Sequence, residues 1–204
     1  LSSSSAASDV YKRQGLDRAV RTTNQMLALA RAKDASLAEG GFSLEPVDLV
    51  VLADGVIRSL LPTARARQMD IGLDADPGPL IVPGAEWLLR EAVGNLVDNA
   101  IRYTSPGGTI TVLVRREPGR LRLSVEDSGP GMSAEDIARA GIRFRRGAAG
   151  KNKPGAGLGL AIVGTIAEAL GARLVLENRA PLPGLRASLV LSLIHISEPT
   201  RQAE

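Results

Sequence analysis

The sequence predicts an α/β two-layer sandwich: a mixed, mainly antiparallel sheet covered by helices on one face, preceded by one helix of a helical hairpin. Two observations carry this reading. Helical periodicity and short apolar runs alternate along residues 46–191, and elements with one apolar face must bury it in layers. Two β-rich runs, TITVLVRR and RLRLSVED, flank the turn EPGR and predict a hairpin, which makes those strands antiparallel.

Near the amino end, Leu16, Val20, Thr23, Leu27 and Ala30 recur at spacings of four, three, four and three. That is the seam of a helix packing lengthwise on another helix. Its partner is not in the chain, so residues 15–40 are assigned to one half of a hairpin. GGF breaks the pattern. The run EPVDLVVLADGVIRSLLPTARARQ then predicts a second amphipathic helix, with Asp48 as its cap or first-turn acid. Short strands are expected over residues 71–75 and 80–82, and a helix over residues 86–103. After the hairpin, a loop rich in glycine and arginine over residues 141–155 leads into a helix over residues 158–170. Strands over residues 173–177 and 185–191 close the domain, and no repeats occur.

Composition narrows the functional classes. With 44% apolar residues among 204, the chain can bury a core; a stretch of roughly 150 residues buries about two-thirds of the surface its unfolded form exposes. There is no cysteine, which excludes a disulfide framework and a thiolate metal site. No apolar run approaches the roughly 20 residues needed to cross a bilayer. Residues 1–14 are too polar for a signal peptide, so no membrane contact is expected of this piece. The pI near 9.7 suggests nucleic acid. A net charge of only +3 and 2% aromatic residues argue against it, because stacking platforms are scarce.

Both ends differ from the middle. LSSSSAASDVYKRQ, residues 1–14, and SLIHISEPTRQAE, residues 192–204, are serine-rich or carry the lone histidine, His195. They resemble peptides made when sequencing-adapter DNA is translated with a gene fragment, and ordinary disordered termini are the alternative. Either reading sets them aside from the fold.

Three stretches carry chemistry. In EAVGNLVDNAIRYT, Glu91, Asn95 and Asn99 stand four apart. Each step of four turns a helix by about 40 degrees, so all three project from one face. Neutral amides suit phosphate oxygens and a hydrated magnesium ion, since they offer donors and acceptors without repulsion. A solvated polar stripe would look the same, although two mid-helix asparagines are poor helix formers. In EDSGPGM, Asp127 precedes Gly129 and Gly131, which allow a tight turn and close approach of a flat ligand. A carboxylate at a strand end can accept from the exocyclic amine of adenine. Facing the carbonyl of guanine would leave acceptors unpaired, at roughly 1–3 kcal/mol. Alone, DSGPG is also simply a turn. In KPGAGLGLAIVGTIAEAL, glycines 155, 157 and 159 lead into an apolar helix, where backbone amides and a helix N-terminus cradle phosphate. Leu160 stands where a dinucleotide fingerprint needs a small residue. RGAAGKN fails as a Walker loop, with Arg145 at the first glycine position and Asn152 after Lys151.

In this order and spacing, the three stretches resemble the ATP-binding catalytic domain of the sensor histidine kinases of two-component systems. That domain has the Bergerat (GHKL) ATPase fold, shared with gyrase, the heat-shock chaperones and the mismatch-repair ATPases. GIRFRRG is similar to the family's phenylalanine-centred box, with Phe144 at its core and Arg143 and Arg146 beside it, although Gly141 replaces the usual aromatic. TTNQMLALARAKD resembles the second helix of the kinase dimerisation and phosphotransfer hairpin, which the gyrase-like relatives lack. Within the kinases the chain looks closest to tricarboxylate sensors.

The resemblance implies a role for each matching position. Asn95 would coordinate magnesium, Glu91 would polarise the transfer, and Asn99 and Arg102 would lie near the phosphates. Most relatives carry lysine where Arg102 stands. Tyr103 would cover one side of the adenine and Asp127 would read its amine, with Gly129 and Gly131 shaping that wall. Gly155, Gly157, Leu158, Gly159 and Leu160 would close over the triphosphate, and the basic loop with Phe144 and Arg146 would act as a lid. The γ-phosphate would pass to a histidine on the hairpin's missing first helix, then to an aspartate of a response-regulator receiver domain. His195 lies after the last strand and does not fit that acceptor. The resemblance further implies a homodimeric parent, an inner-membrane sensor with this domain in the cytoplasm. A non-catalytic nucleotide-binding regulatory module and an anti-sigma-type serine kinase share the fold and remain as alternatives.

Overall fold

The structure, a computed structural model, describes residues 44–138 and 159–193. The expected hairpin helix, His195, and the loop with Phe144, Arg146, Gly155, Gly157 and Leu158 lie outside the described residues.

The run beginning EPVD opens with a strand, β1 (Glu45–Asp48), where the sequence predicted helix. Pro46 has no N–H and disfavours helical geometry at Glu45. The segment instead pairs antiparallel with β3 (Ile81–Gly84), setting Val47 opposite Val82, both buried. Helix α1 (Leu49–Ala66) starts where the cap was expected: the Asp48 carboxylate accepts from Val50 N at 2.8 Å and Val51 N at 3.3 Å. It buries Leu49, Leu52, Ala53, Val56 and Ile57. Gln68, in the left-handed region at φ 56°, turns the chain into β2 (Asp70–Ala75).

Helix α2 (Glu86–Tyr103) follows β3. Its carboxyl end is capped from a distance, because the Arg67 guanidinium donates to the carbonyls of Ile101 and Thr104. The predicted hairpin forms from β4 (Thr109–Glu117) and β5 (Arg120–Asp127), with Gly119 at φ 71° in the turn. A short helix, α3 (Ala134–Ala138), was not expected. Helix α4 (Gly159–Ala169), β6 (Arg173–Asn178) and β7 (Leu185–Ser192) complete the described chain.

The main sheet has the order β2-β4-β5-β7-β6. Among the described strands only β2 and β4 pair in parallel, so the sheet is mixed and mainly antiparallel, as the sequence predicted. Alternation places Val112, Val114, Leu121, Leu123, Val125, Leu189 and Leu191 on the buried face. Helix α2 packs between α1 and α4 over that face, and one core cluster joins all three helices to the sheet. The opposite face carries ion pairs such as Arg122–Glu117 and Arg186–Glu126, with the buried Ser124 and Ser188 hydroxyls bonded to each other at 2.9 Å.

Candidate nucleotide-binding site

One wall of the site is the polar face of α2. Asn95 is buried, and its amide Nδ2 donates to the Glu91 carboxylate at 3.0 Å and to the Glu91 carbonyl at 2.9 Å. One turn on, Asn99 lies against the first residue of α4: a Cβ added to Gly159 would meet the Asn99 amide at 2.9–3.0 Å. The described start of α4 therefore lies beside the asparagine face, and a helix N-terminus suits an anion. Arg102 shares this face and pairs with Asp98 at 2.6 Å. Asp98 was missed by sequence reasoning. The signal was present, since an acid four residues before a base on a helix predicts such a pair.

The second wall is the end of β5. Asp127 is 6% exposed, and its Oδ1 accepts from Gly129 N at 2.8 Å and Leu185 N at 3.3 Å. Both bonds use one oxygen, which leaves Oδ2 for a ligand donor. Burial pushes this carboxyl above the ordinary carboxylate range; the two N–H groups and the Arg179 guanidinium pull it back only in part. Gly129 lets the walls meet, because a Cβ there would sit 2.9 Å from the carboxylate and 3.3 Å from the Tyr103 carbonyl. Beside this junction the fully buried Thr104 hydroxyl has no partner among the described residues.

The structure thus brings Glu91, Asn95 and Arg102 onto one face, Asn99 to Gly159, and the Tyr103 carbonyl and the Asp127 carboxylate to Gly129. Leu160 is half-buried and packs against the core.

A third group was not anticipated: the corner between β6 and β7. Asn178 Oδ1 accepts from Met132 N at 2.8 Å and its Nδ2 donates to Met132 O at 2.7 Å. Arg179 Nη1 donates to the Asp127 carbonyl at 2.9 Å, and Nε lies 3.2 Å from Glu126. Gly184, at φ 131°, has no room for a side chain, since a Cβ would fall 1.8 Å from the Asp127 carbonyl. Gly131, at φ 72°, turns the loop under Asn178. No local pattern announces these contacts, whose partners lie 46 to 58 residues apart.

Known proteins resemble this chain in sequence and fold. The family described as "Histidine kinase-, DNA gyrase B-, and HSP90-like ATPase" matches residues 84–194, more than half of the chain. Sensor protein kinase PmrB of Pseudomonas aeruginosa is 36% identical over 155 residues, covering 76% of this chain and 31% of that protein. The histidine-protein kinase/phosphatase MprB of Mycolicibacterium paratuberculosis is 38% identical over 138 residues, 67% of this chain and 26% of that protein. A solved structure of mycobacterial MprB superposes with a TM-score of 0.64 at 33% identity, covering 72% of this chain and 97% of that one. The chain spans about a third or less of the curated relatives it matches. On the strength of the matched residues and the shared fold, the chain belongs to the histidine kinase-, DNA gyrase B- and HSP90-like ATPases, as the catalytic domain of a sensor histidine kinase.

Proposed function

We propose that this site binds magnesium-ATP and delivers its γ-phosphoryl group to a histidine on the partner helix of the hairpin, from which it passes to an aspartate of a response-regulator receiver domain. The observation that carries the reading is Asp127, buried at the end of β5 with Oδ1 fixed by two backbone N–H groups and Oδ2 available to the exocyclic amine of adenine. A carboxylate cannot donate, so it favours adenine over guanine at this point.

The phosphates would run from the Asp127 wall toward Asn99 and the N-terminus of α4, with Arg102 and the Gly155–Gly157–Leu158 segment around them. Among the described residues no group of three or more His, Cys, Asp or Glu could hold a metal. The donor chemistry nonetheless fits magnesium, which commonly takes one or two protein oxygens and completes its shell with phosphate and water. The side-chain carbonyl oxygen of Asn95, whose amide nitrogen is held by Glu91, would hold it, and the ion would supply charge neutralisation at the phosphates. Phosphoryl transfer asks a protein chiefly for alignment and neutralisation. The Asn95 amide steadies the Glu91 carboxylate, which would take up the proton shed by the attacking imidazole as ADP leaves. Among the described residues no helix is long and apolar enough to cross a membrane; we assign the domain to the cytoplasmic side of a homodimeric inner-membrane sensor.

The test is Asp127→Asn. Asparagine keeps the size and can still accept from Gly129 N, but it presents a donor or a weaker acceptor to adenine. Affinity for an ATP analogue with magnesium should fall about tenfold or more, the scale of a charge-assisted hydrogen bond, with the melting temperature maintained. Unchanged affinity would sink the reading.

A further inference from the structure

We propose that Asn178 and Arg179, at the β6–β7 corner, are positioning residues that set the preference of the site for adenine by holding the loop from Asp127 to Met132 in place. The proposal rests on the ATP reading above and assigns its selectivity to residues outside every motif that identified the site.

The loop leaves β5 at Asp127, and residues 128–132 belong to no strand. It is tied at both ends by the corner. At the far end, the Asn178 side chain imitates one rung of an antiparallel ladder, accepting from Met132 N and donating to Met132 O. At the near end, Arg179 donates to the Asp127 carbonyl while its Nε faces Glu126, and Leu185 N donates to the Asp127 carboxylate. The chain comes this close only because position 184 is glycine. Between the ties, Gly129 and Gly131 have little intrinsic stiffness, so the orientation of the Asp127 carboxylate depends on the ties.

The chemistry of each residue is restrictive. Asn178 needs one acceptor and one donor on one planar group, which an amide has and a carboxylate lacks. Asn178 is exposed and ends its strand, so little core depends on it. Among the described residues, Arg179 from the corner is the charge that acts on Asp127, while Glu126 from its own strand pairs with Arg179 and with Arg186 from β7. Arg179 also favours the ionised form of Asp127. If the carboxylate is held still, a purine with a carbonyl at that point is refused. If it swings, a water can bridge and guanine is admitted.

The experiment uses the full chain and measures affinities for magnesium complexes of non-hydrolysable ATP and GTP analogues, with melting temperatures in parallel. Asn178→Ala should weaken ATP by about tenfold, the size of two neutral hydrogen bonds, and GTP by much less, so that the ATP-to-GTP preference contracts. Asn178→Asp, which keeps shape and the acceptor, should contract it about as far. Arg179→Gln should raise the pH below which ATP affinity declines. An unchanged preference together with an unchanged pH profile overturns the proposal. So does equal loss of both nucleotides alongside a lowered melting temperature, which would mark general loosening. If the unaltered chain binds no ATP, the ATP reading falls and this proposal with it; if it binds ATP while the variants match it, this proposal alone falls.

Discussion

Asp127 shows how one residue can work against its own fold. Burial raises its carboxyl above the ordinary range, so ionisation is favoured less in the folded chain than in the unfolded one. For folding, a raised carboxyl pKa gives a contribution that is present below the unfolded value and lost as pH rises through the folded value. For binding, the sign is opposite, because the ionised form is the better acceptor for the adenine amine. ATP affinity should therefore decline on acidification at a higher pH than a solvated carboxylate would impose, and Asp127→Asn should flatten that profile. Titrating analogue affinity from neutral to acidic pH checks this, and a decline confined to the ordinary carboxylate range would contradict it. A local conflict with stability of this kind is what the proposed role of Asp127 in binding would explain.

At the scale of elements, what the sequence made legible followed from periodicity. The fourfold spacing of Glu91, Asn95 and Asn99 survives as one face of α2, and the turn before Arg120 survives as a hairpin. Asp48 was readable as a cap, and Asp48→Ala should cost about 1 kcal/mol, as lost N-caps do. A melting temperature lowered by several degrees with ATP-analogue affinity retained is the expected result. Strand β1 was illegible because EPVD is too short to alternate, and its partner β3 lies some 36 residues away. Asn178 and Arg179 were illegible for a related reason: their work is done on main-chain atoms of Asp127 and Met132, and a backbone acceptor has no signature in residue types.

At the scale of the whole molecule, helices α1, α2 and α4 and the main sheet share a continuous core, so the domain should unfold as a unit. Leu123 sits fully buried in β5, between Val114 on one neighbouring strand and Leu189 on the other. Leu123→Ala should cost about 2–5 kcal/mol, seen as a lower denaturant midpoint with the slope of the transition unchanged. A split transition would instead mean that the sheet and its helical layer can part. The sheet order also bears on how the protein comes into being. The last strand in the described chain, β7, enters between β5 and β6, not at a rim. While the chain is still being synthesised, β5 offers an unpaired edge, and Asp127 lacks both Arg179 and Leu185. A ribosome must therefore deliver the chain past residue 185 before the surroundings of Asp127 exist, so this end of β5 takes its shape only once β7, the last strand of the described sheet, begins to emerge.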